Sequence, residues 1–340
     1  MRLEWERIRA ETADPFTTSR STSREITRVW VRVSDGEDEG WGEADPSRYY
    51  GESAATVEAA LEELRPAVEK APGPEGMQAL EAAMERRIGG NRSAKAAVVT
   101  ALLDLRAGRL GEPLWRLWGL DPAEAPLSSF TVGMDDPERV AEKVAAAPDY
   151  PVLKVKLGGD RDEEILAAVR EAAPDRRIRV DANAAWTPKE ALSKIELLAD
   201  HGVEFVEQPL PPEDREGLRH VRERSPLPVI LDESCRTASD VPGLVGLADG
   251  VNLKLAKCGG PLEAIRAIHA ARACHLRVMM GCMLETTLGI APAAHLAPLL
   301  DYADLDGAAL LGDDPFGGPG IGEDGRIRVS DEPGLGVRRR

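Results

Sequence analysis

Residues 151–157, PVLKVKL, place two lysines at alternate positions of an otherwise apolar run. Successive strand side chains point to opposite faces, so Lys154 and Lys156 share one face while aliphatic residues fill the other. Folding alone has no use for two like charges there. The chain carries 43 basic residues, of which only nine are lysine, so arginine is its usual cation. Burial and neighbouring charge can bring an amine into a titratable range, whereas a guanidinium stays protonated. The pair points to proton chemistry.

Outward from this stretch the sequence keeps a rhythm of apolar strand, polar residue at the strand end, and helical segment. The strands read SSFTVGM, PVLKVKL, RIRVDAN, VEFVEQP, LPVILDES, VNLKLAK, LRVMMGC and YADLDG, ending at Thr131, Lys156, Asp181, Glu207, Asp232, Lys254, Gly281 and Asp306. The steps between these ends are 25, 25, 26, 25, 22, 27 and 25 residues. A strand with its crossover helix needs about that length, and eight repeats predict an α/β fold closed as a parallel barrel. In TPKEALSKIELLADHG, Thr187 and Glu190 form a capping box, Pro188 takes the first helical position and Gly202 stops the helix. No comparable helix follows the eighth strand, so the expected form is a modified TIM barrel, (β/α)7β.

The first 122 residues follow another plan. LEWERIRAE, ITRVWVRV and GWGEAD, around the turn at Asp35 and Gly36, predict a three-stranded antiparallel sheet, with helices in TVEAALEELRPAVEK and SAKAAVVTALLDLRAGRL. This is an α+β capping domain over 1–122, followed by the barrel over 123–312. A C-terminal segment, 313–340, is expected to return to the cap with one more short strand. The glycine-rich run GGPGIG at 317–322 has no helix after it and reads as a plain loop rather than a phosphate cradle.

A net charge of −16 argues against nucleic acid and against an anionic membrane surface as partners. The opening MRLEWERIRAE lacks a signal-peptide apolar stretch, and no apolar run reaches the roughly 18 residues of a membrane span. A cytoplasmic, homo-oligomeric protein is expected. Cys235, Cys258, Cys274 and Cys282 show no C-x-x-C spacing and read as inert thiols.

Strand ends of such a barrel line one mouth, where its chemistry is placed. Three consecutive strands end there in Asp181, Glu207 and Asp232. Three converging acids repel one another unless a cation holds them, and an all-oxygen set suits Mg²⁺. Asn183 and Glu233 follow two of these acids and are candidates to support them. Lys156 and Lys254 lie across the ring from each other and could address both faces of one carbon, with Lys154 lowering the proton affinity of Lys156. Lys257 reads as a loop charge or a carbonyl partner. Removing a proton beside a carboxylate is hard because the enediolate is unstable, and a bound Mg²⁺ addresses that difficulty. Asp304 and Asp306 again stand two apart and form a natural receptor for an ammonium.

Taken in order, LKVKL, VDAN, VEQP, LDES, NLKLAKCGG, GCMLETTLG and ADLDG resemble the muconate-lactonising subgroup of the enolase superfamily, and within it the dipeptide epimerases. A lysine base working with Mg²⁺ is that superfamily's known solution. The likeness covers nearly the whole chain, including SRYYGES at 47–53, SAKAAVVTALLDL at 93–105 and the PGLGV tail. It implies Lys156 and Lys254 as the acid/base pair, Lys154 as their electrostatic partner, and Asp181, Glu207 and Asp232 as ligands of one Mg²⁺ per active site. It also implies Asp304 and Asp306 as receptors for the α-amino group of a small-molecule substrate, a dipeptide. Thr131, Asn183, Met283 and Glu285 complete the expected substrate-binding set. The side chain of the second residue would meet the specificity loop at about 14–24, where Arg20 and Arg24 could pair with a glutamate. An Ala-Glu preference would connect the chain to cell-wall peptide recycling.

Other outcomes stay open at this level: a hydrophobic or cationic dipeptide, or a muconate cycloisomerase, o-succinylbenzoate synthase or N-acylamino acid racemase activity. A barrel with no catalytic function would have no use for Lys156 or Lys254. A mandelate-racemase type of site is disfavoured, since His201, His220, His269, His275 and His295 all miss the strand ends.

Overall fold

The computed structural model describes residues 1–147 and 150–340. Its first sheet joins β1 (Arg2–Thr17), β2 (Thr22–Asp35) and β3 (Asp38–Ala44) in antiparallel order. Helices Ala54–Lys70, Met77–Arg87 and Arg92–Leu110 pack with this sheet around an apolar core that includes Val29, Val31, Leu61, Leu64, Val98 and Leu102. The sheet and the Arg92–Leu110 helix approach closely. A Cβ on Gly40 would lie 2.1 Å from the Ala101 carbonyl oxygen, and one on Gly42 would lie 2.2 Å from that of Ala97. Glycine at alternate positions of β3 is what lets the helix lie that near.

The strand-and-helix rhythm becomes one parallel sheet: β4 (Phe130–Val132), β5 (Val152–Lys156), β6 (Arg177–Asp181), β7 (Val203–Glu207), β8 (Val229–Leu231), β9 (Gly250–Leu253), β10 (Arg277–Gly281) and β11 (Tyr302–Asp304), in chain order. Ser129 N–H donates to the Ala303 carbonyl at 3.0 Å and Ser128 bridges to Ala303 in parallel, joining first strand to last. Every residue of β5 is buried, as a strand inside a barrel wall requires. The Thr187 capping box forms as the sequence predicts.

Three features depart from expectation. The unit after β8 has no α-helix, only a four-residue 3₁₀ turn, Val241–Leu244. Its step is the shortest of the seven, and Pro242, Gly243 and Gly246 interrupt any helix there. The segment at 14–24 is mostly not a loop: β1 and β2 run on as a two-stranded ribbon, with Thr17 opposite Thr22, so only Thr18–Ser21 form the turn. In the tail, Ile327–Arg328 pairs locally with Gly320–Ile321 rather than with the first sheet. The tail reaches the first region otherwise: Leu335 N–H donates to Asp104 Oδ1 at 2.7 Å, and Phe316 packs edge-on to Trp30 at 4.7 Å.

Among the described residues no helix is long and apolar enough to cross a membrane. All four cysteines are free thiols. Burial pushes the Cys235 and Cys258 thiols up to about 12, which keeps them unreactive.

Candidate active site

Strand register brings the polar ends together. Thr131 pairs with Lys154, Lys156 with Asp181, and Asp181 with Glu207, so these side chains stand at neighbouring positions on the inner wall. Asp232 and Lys254 follow the last residues of β8 and β9 directly. Around the ring β5 and β9 are four strands apart, with β6, β7 and β8 between them. In an eight-stranded barrel that puts Lys156 and Lys254 on opposite sides of the mouth.

The charges there form one network. Lys154 Nζ lies 2.7 Å from Glu207 Oε2, 2.9 Å from Asp304 Oδ2 and 3.3 Å from Asp181 Oδ2. Burial works against its ammonium, but these three carboxylates outweigh burial and hold its pKa well above the ordinary lysine range. Lys156 Nζ lies 2.6 Å from Asp181 Oδ2, and Lys254 Nζ 2.9 Å from Asp232 Oδ2. Lys254 is likewise raised, because Asp232 overcomes the opposing effect of burial. Asp181 and Asp232 are depressed below the carboxylate range despite burial, by Lys156 and Lys154 in one case and by Lys254 and Lys257 in the other. Gly281 makes room for this arrangement, since a Cβ there would come within 3.2 Å of Lys254 Cε.

The acids suit a hard divalent cation in their chemistry. All their donors are oxygen, and burial together with the charges of Asp181 and Asp232 pushes the Glu207 carboxyl up to about 7. Glu207 Oε2 is buried and, despite its nearness to Lys154, receives no hydrogen bond of good geometry. Among the described residues no three such acids are drawn to metal-holding distance of one another, and lysine ammonium groups stand among them. A cation at this place would compete with those ammonium groups for the same lone pairs.

Asp304 and Asp306 do come together, around Thr131. Asp304 accepts from Ser129 Oγ at 2.6 Å and Thr131 Oγ1 at 3.2 Å, while Asp306 accepts from Thr131 N–H at 2.5 Å. Burial and Asp304 push the Asp306 carboxyl up to about 7. Asn183 sits at φ +47°, and its backbone N–H donates to Asp181 Oδ1 at 2.8 Å. Arg20 enters the mouth: it donates to the Asn183 carbonyl at 2.8 Å, pairs with Glu233, and lies over the Tyr49 ring at 4.2 Å. Arg24 is exposed further along the ribbon and is not gathered with this group. Met283 Sδ is 4.0 Å from Lys254 Nζ. Glu285 is buried close to Lys254 but lies against acids of the first region.

Of the two roles the sequence offers Lys257, it takes that of carbonyl partner: it is 1% exposed and donates to the carbonyls of Asp232 and Asn252 as well as to Asp232 Oδ1. Two further residues, Asn252 and Gln208, have no place in the sequence expectation. Asn252 donates to Glu207 Oε1 at 2.8 Å. It stands two residues before Lys254, the same alternation that exposed the Lys154–Lys156 pair. Gln208 accepts from the backbone N–H groups of Asp232 and Ser234, fixing the turn that carries Asp232.

Residues 5–119 match the mandelate racemase / muconate lactonizing enzyme N-terminal domain, and residues 137–340 match the enolase C-terminal domain-like family. The chain belongs to this family. An L-Ala-D/L-Glu epimerase of Bacteroides thetaiotaomicron is 37% identical over 325 residues, covering 95% of this chain and 83% of that one. A hydrophobic dipeptide epimerase of Roseobacter litoralis is also 37% identical, covering 99% of this chain and 98% of that one. Among solved structures, the dipeptide epimerase of Enterococcus faecalis V583 complexed with Mg and L-Leu-L-Tyr superposes with a TM-score of 0.94 at 31% identity, covering 99% of each chain. The three differ in the dipeptides their names record.

Proposed function

We propose that the protein is a Mg²⁺-dependent dipeptide epimerase that inverts the α-carbon of the C-terminal residue by 1,1-proton transfer, with L-Ala-D/L-Glu as its substrate. One observation carries this reading: two buried amines, Lys156 and Lys254, oppose each other across a mouth whose intervening strands bear three acids. Each lysine serves one face of the substrate, one removing the proton and the other returning one from the opposite side. Lys154, locked among Glu207, Asp304 and Asp181, supplies fixed positive charge beside Lys156.

Asp181, Glu207 and Asp232 would hold one Mg²⁺ per active site, whose chemistry is to stabilise the charge that builds on the substrate carboxylate as the α-proton leaves. Asn183, Asn252, Gln208 and Lys257 orient those acids. Asp306, with Asp304 beside it, receives the substrate ammonium. Thr131 holds both aspartates in place. Arg20 faces the side chain of the second residue, since its guanidinium has N–H groups beyond those given to Asn183 and Glu233. Met283 and Glu285 border Lys254. In this reading the cap is 1–122, the barrel 123–312 and the returning tail 313–340, and the protein works as a cytoplasmic homo-oligomer.

Incubating the enzyme with a panel of dipeptides in D₂O, with and without Mg²⁺, tests the proposal. One deuterium should enter the α position of the second residue as the epimer forms, and EDTA should stop both. A new covalent product, or uptake indifferent to Mg²⁺, would sink the reading. Within the panel Ala-Glu should lead, and Arg20→Ala should cost Ala-Glu on the order of tenfold more than Ala-Phe.

A further inference from the structure

Lys254 has a neighbour that the first region controls. The turn from Cys282 to Thr286, between β10 and the Thr287–Leu296 helix, brings Met283 Sδ to 4.0 Å from the Lys254 ammonium. The first sheet grips this turn from outside the mouth. Glu43 on β3 accepts from Thr286 N–H at 2.9 Å and from Thr286 Oγ1 at 2.5 Å, and Trp30 Nε1 braces the same carboxylate at 2.9 Å. Arg28 on β2 donates from Nε to the Leu284 carbonyl at 2.9 Å while pairing with Asp45 at 2.7 Å.

The grip depends on glycines. A Cβ on Gly289 would lie 2.8 Å from both Glu43 Oε1 and Glu285 Oε2, so the close approach of those two acids needs glycine there. A Cβ on Gly307 would lie 2.2 Å from the Met283 carbonyl oxygen. Glu43, Asp45 and Glu285 are all buried around one guanidinium, Arg28. Burial first, with the neighbouring acids, pushes the Glu43 and Glu285 carboxyls up to about 7 and that of Asp45 to about 6. A cap held on for stability alone would be better served by apolar contacts, because crowding buried acids is costly. The expense goes into fixing one short turn beside one lysine.

We propose that Glu43 is a positioning residue for Lys254: through Thr286 it fixes the 282–286 turn, so this one contact sets the geometry of proton transfer on a single face of the substrate. This rests on the epimerase reading above. The consequence is asymmetry, because Lys156 lies on β5, outside the reach of this grip.

Each epimer of a turned-over dipeptide, supplied separately in D₂O to the wild type and to Glu43→Gln, gives the test. Misplacement by about 1 Å can cost on the order of 100-fold, so inversion should fall at least tenfold in the variant. For the epimer that Lys156 deprotonates, deuterium should still wash into unreacted substrate within about twofold of the wild-type rate. For the other epimer, wash-in should fall as far as inversion does. Thr286→Val should reproduce the asymmetry and Thr286→Ser should restore wild-type behaviour, which decides the matter even if Glu43→Gln folds poorly. Equal loss of exchange from both epimers, or no loss from either, overturns the proposal. A wild type that exchanges no dipeptide overturns the epimerase reading and this inference with it.

Discussion

Two layers of the barrel interior bury positive charge in opposite ways. At the mouth, Lys154, Lys156, Lys254 and Lys257 share Asp181, Glu207, Asp232 and Asp304, so each ammonium faces a carboxylate that other cations also claim. One turn of the pleat below, Arg179 is 2% exposed and its needs are met locally. Its guanidinium pairs with Glu204 at 2.7 Å, donates to the Ala303 carbonyl at 3.0 Å, and lies 5.3 Å and 4.9 Å from the Phe205 and Tyr302 ring centres. The lower layer uses a cation that cannot give up its proton and surrounds it with aromatic faces. The upper layer uses amines, and sets them among carboxylates that they share. The arginine is satisfied by its own neighbours, whereas the lysines divide theirs.

Breaking the upper layer should be felt most in rate. Replacing Lys156 or Lys254 with Ala should lower epimerisation by about 10³-fold or more, and thermal unfolding should show the fold intact. Arg179→Met should do the reverse, lowering stability by about 3 kcal/mol in denaturant melts while activity per folded molecule stays near wild type. If Arg179→Met removed activity without loss of stability, the contrast between the layers would fail.

A control lies outside both layers. His295 is buried, with Nδ1 accepting from Trp115 N–H at 3.3 Å and Nε2 donating to the Leu335 carbonyl at 3.1 Å. Burial pushes its pKa down to about 4. The unfolded chain, titrating near 6.5, therefore binds more protons between those values, and stability falls as pH drops from 6.5 toward 4. The loss should be on the order of 3 kcal/mol, and His295→Gln should flatten that part of the stability profile. The smallest effect is expected at the rim, where Thr187→Ala removes a helix cap and should cost about 1 kcal/mol without altering turnover.

The sequence displays the mouth because strand alternation is a local rule: LKVKL carries its facing within five residues, while in ADLDG the strand ends at Asp304 and Asp306 reaches the same place from the turn beyond it. Asn252 obeys the same rule in VNLKL and could have been found by it. The 3₁₀ turn after β8 was foreshadowed by the shortest step and by Pro242 and Gly243. The grip of Glu43 on Thr286 spans 243 positions and leaves no local trace, since a lone acid after a strand glycine is unremarkable. The ribbon at 14–24 reads as a loop because both of its strands project past the core, so no apolar face repeats along FTTSRSTSREI. Which arginine enters the mouth depended on that geometry, and it selects Arg20 over Arg24.

The ribbon also limits how this chain can change its preference. Thr17 stands opposite Thr22, and the tip is pinned by Met134 N–H on the Thr17 carbonyl at 2.9 Å. Arg20 sits in the four-residue turn between these anchored ends, so an inserted residue would reshape that turn while Thr17 and Thr22 stay paired. Drift toward new ligands should therefore proceed by exchanging letters at Thr18–Ser21 on an anchored ribbon rather than by remodelling the ribbon itself.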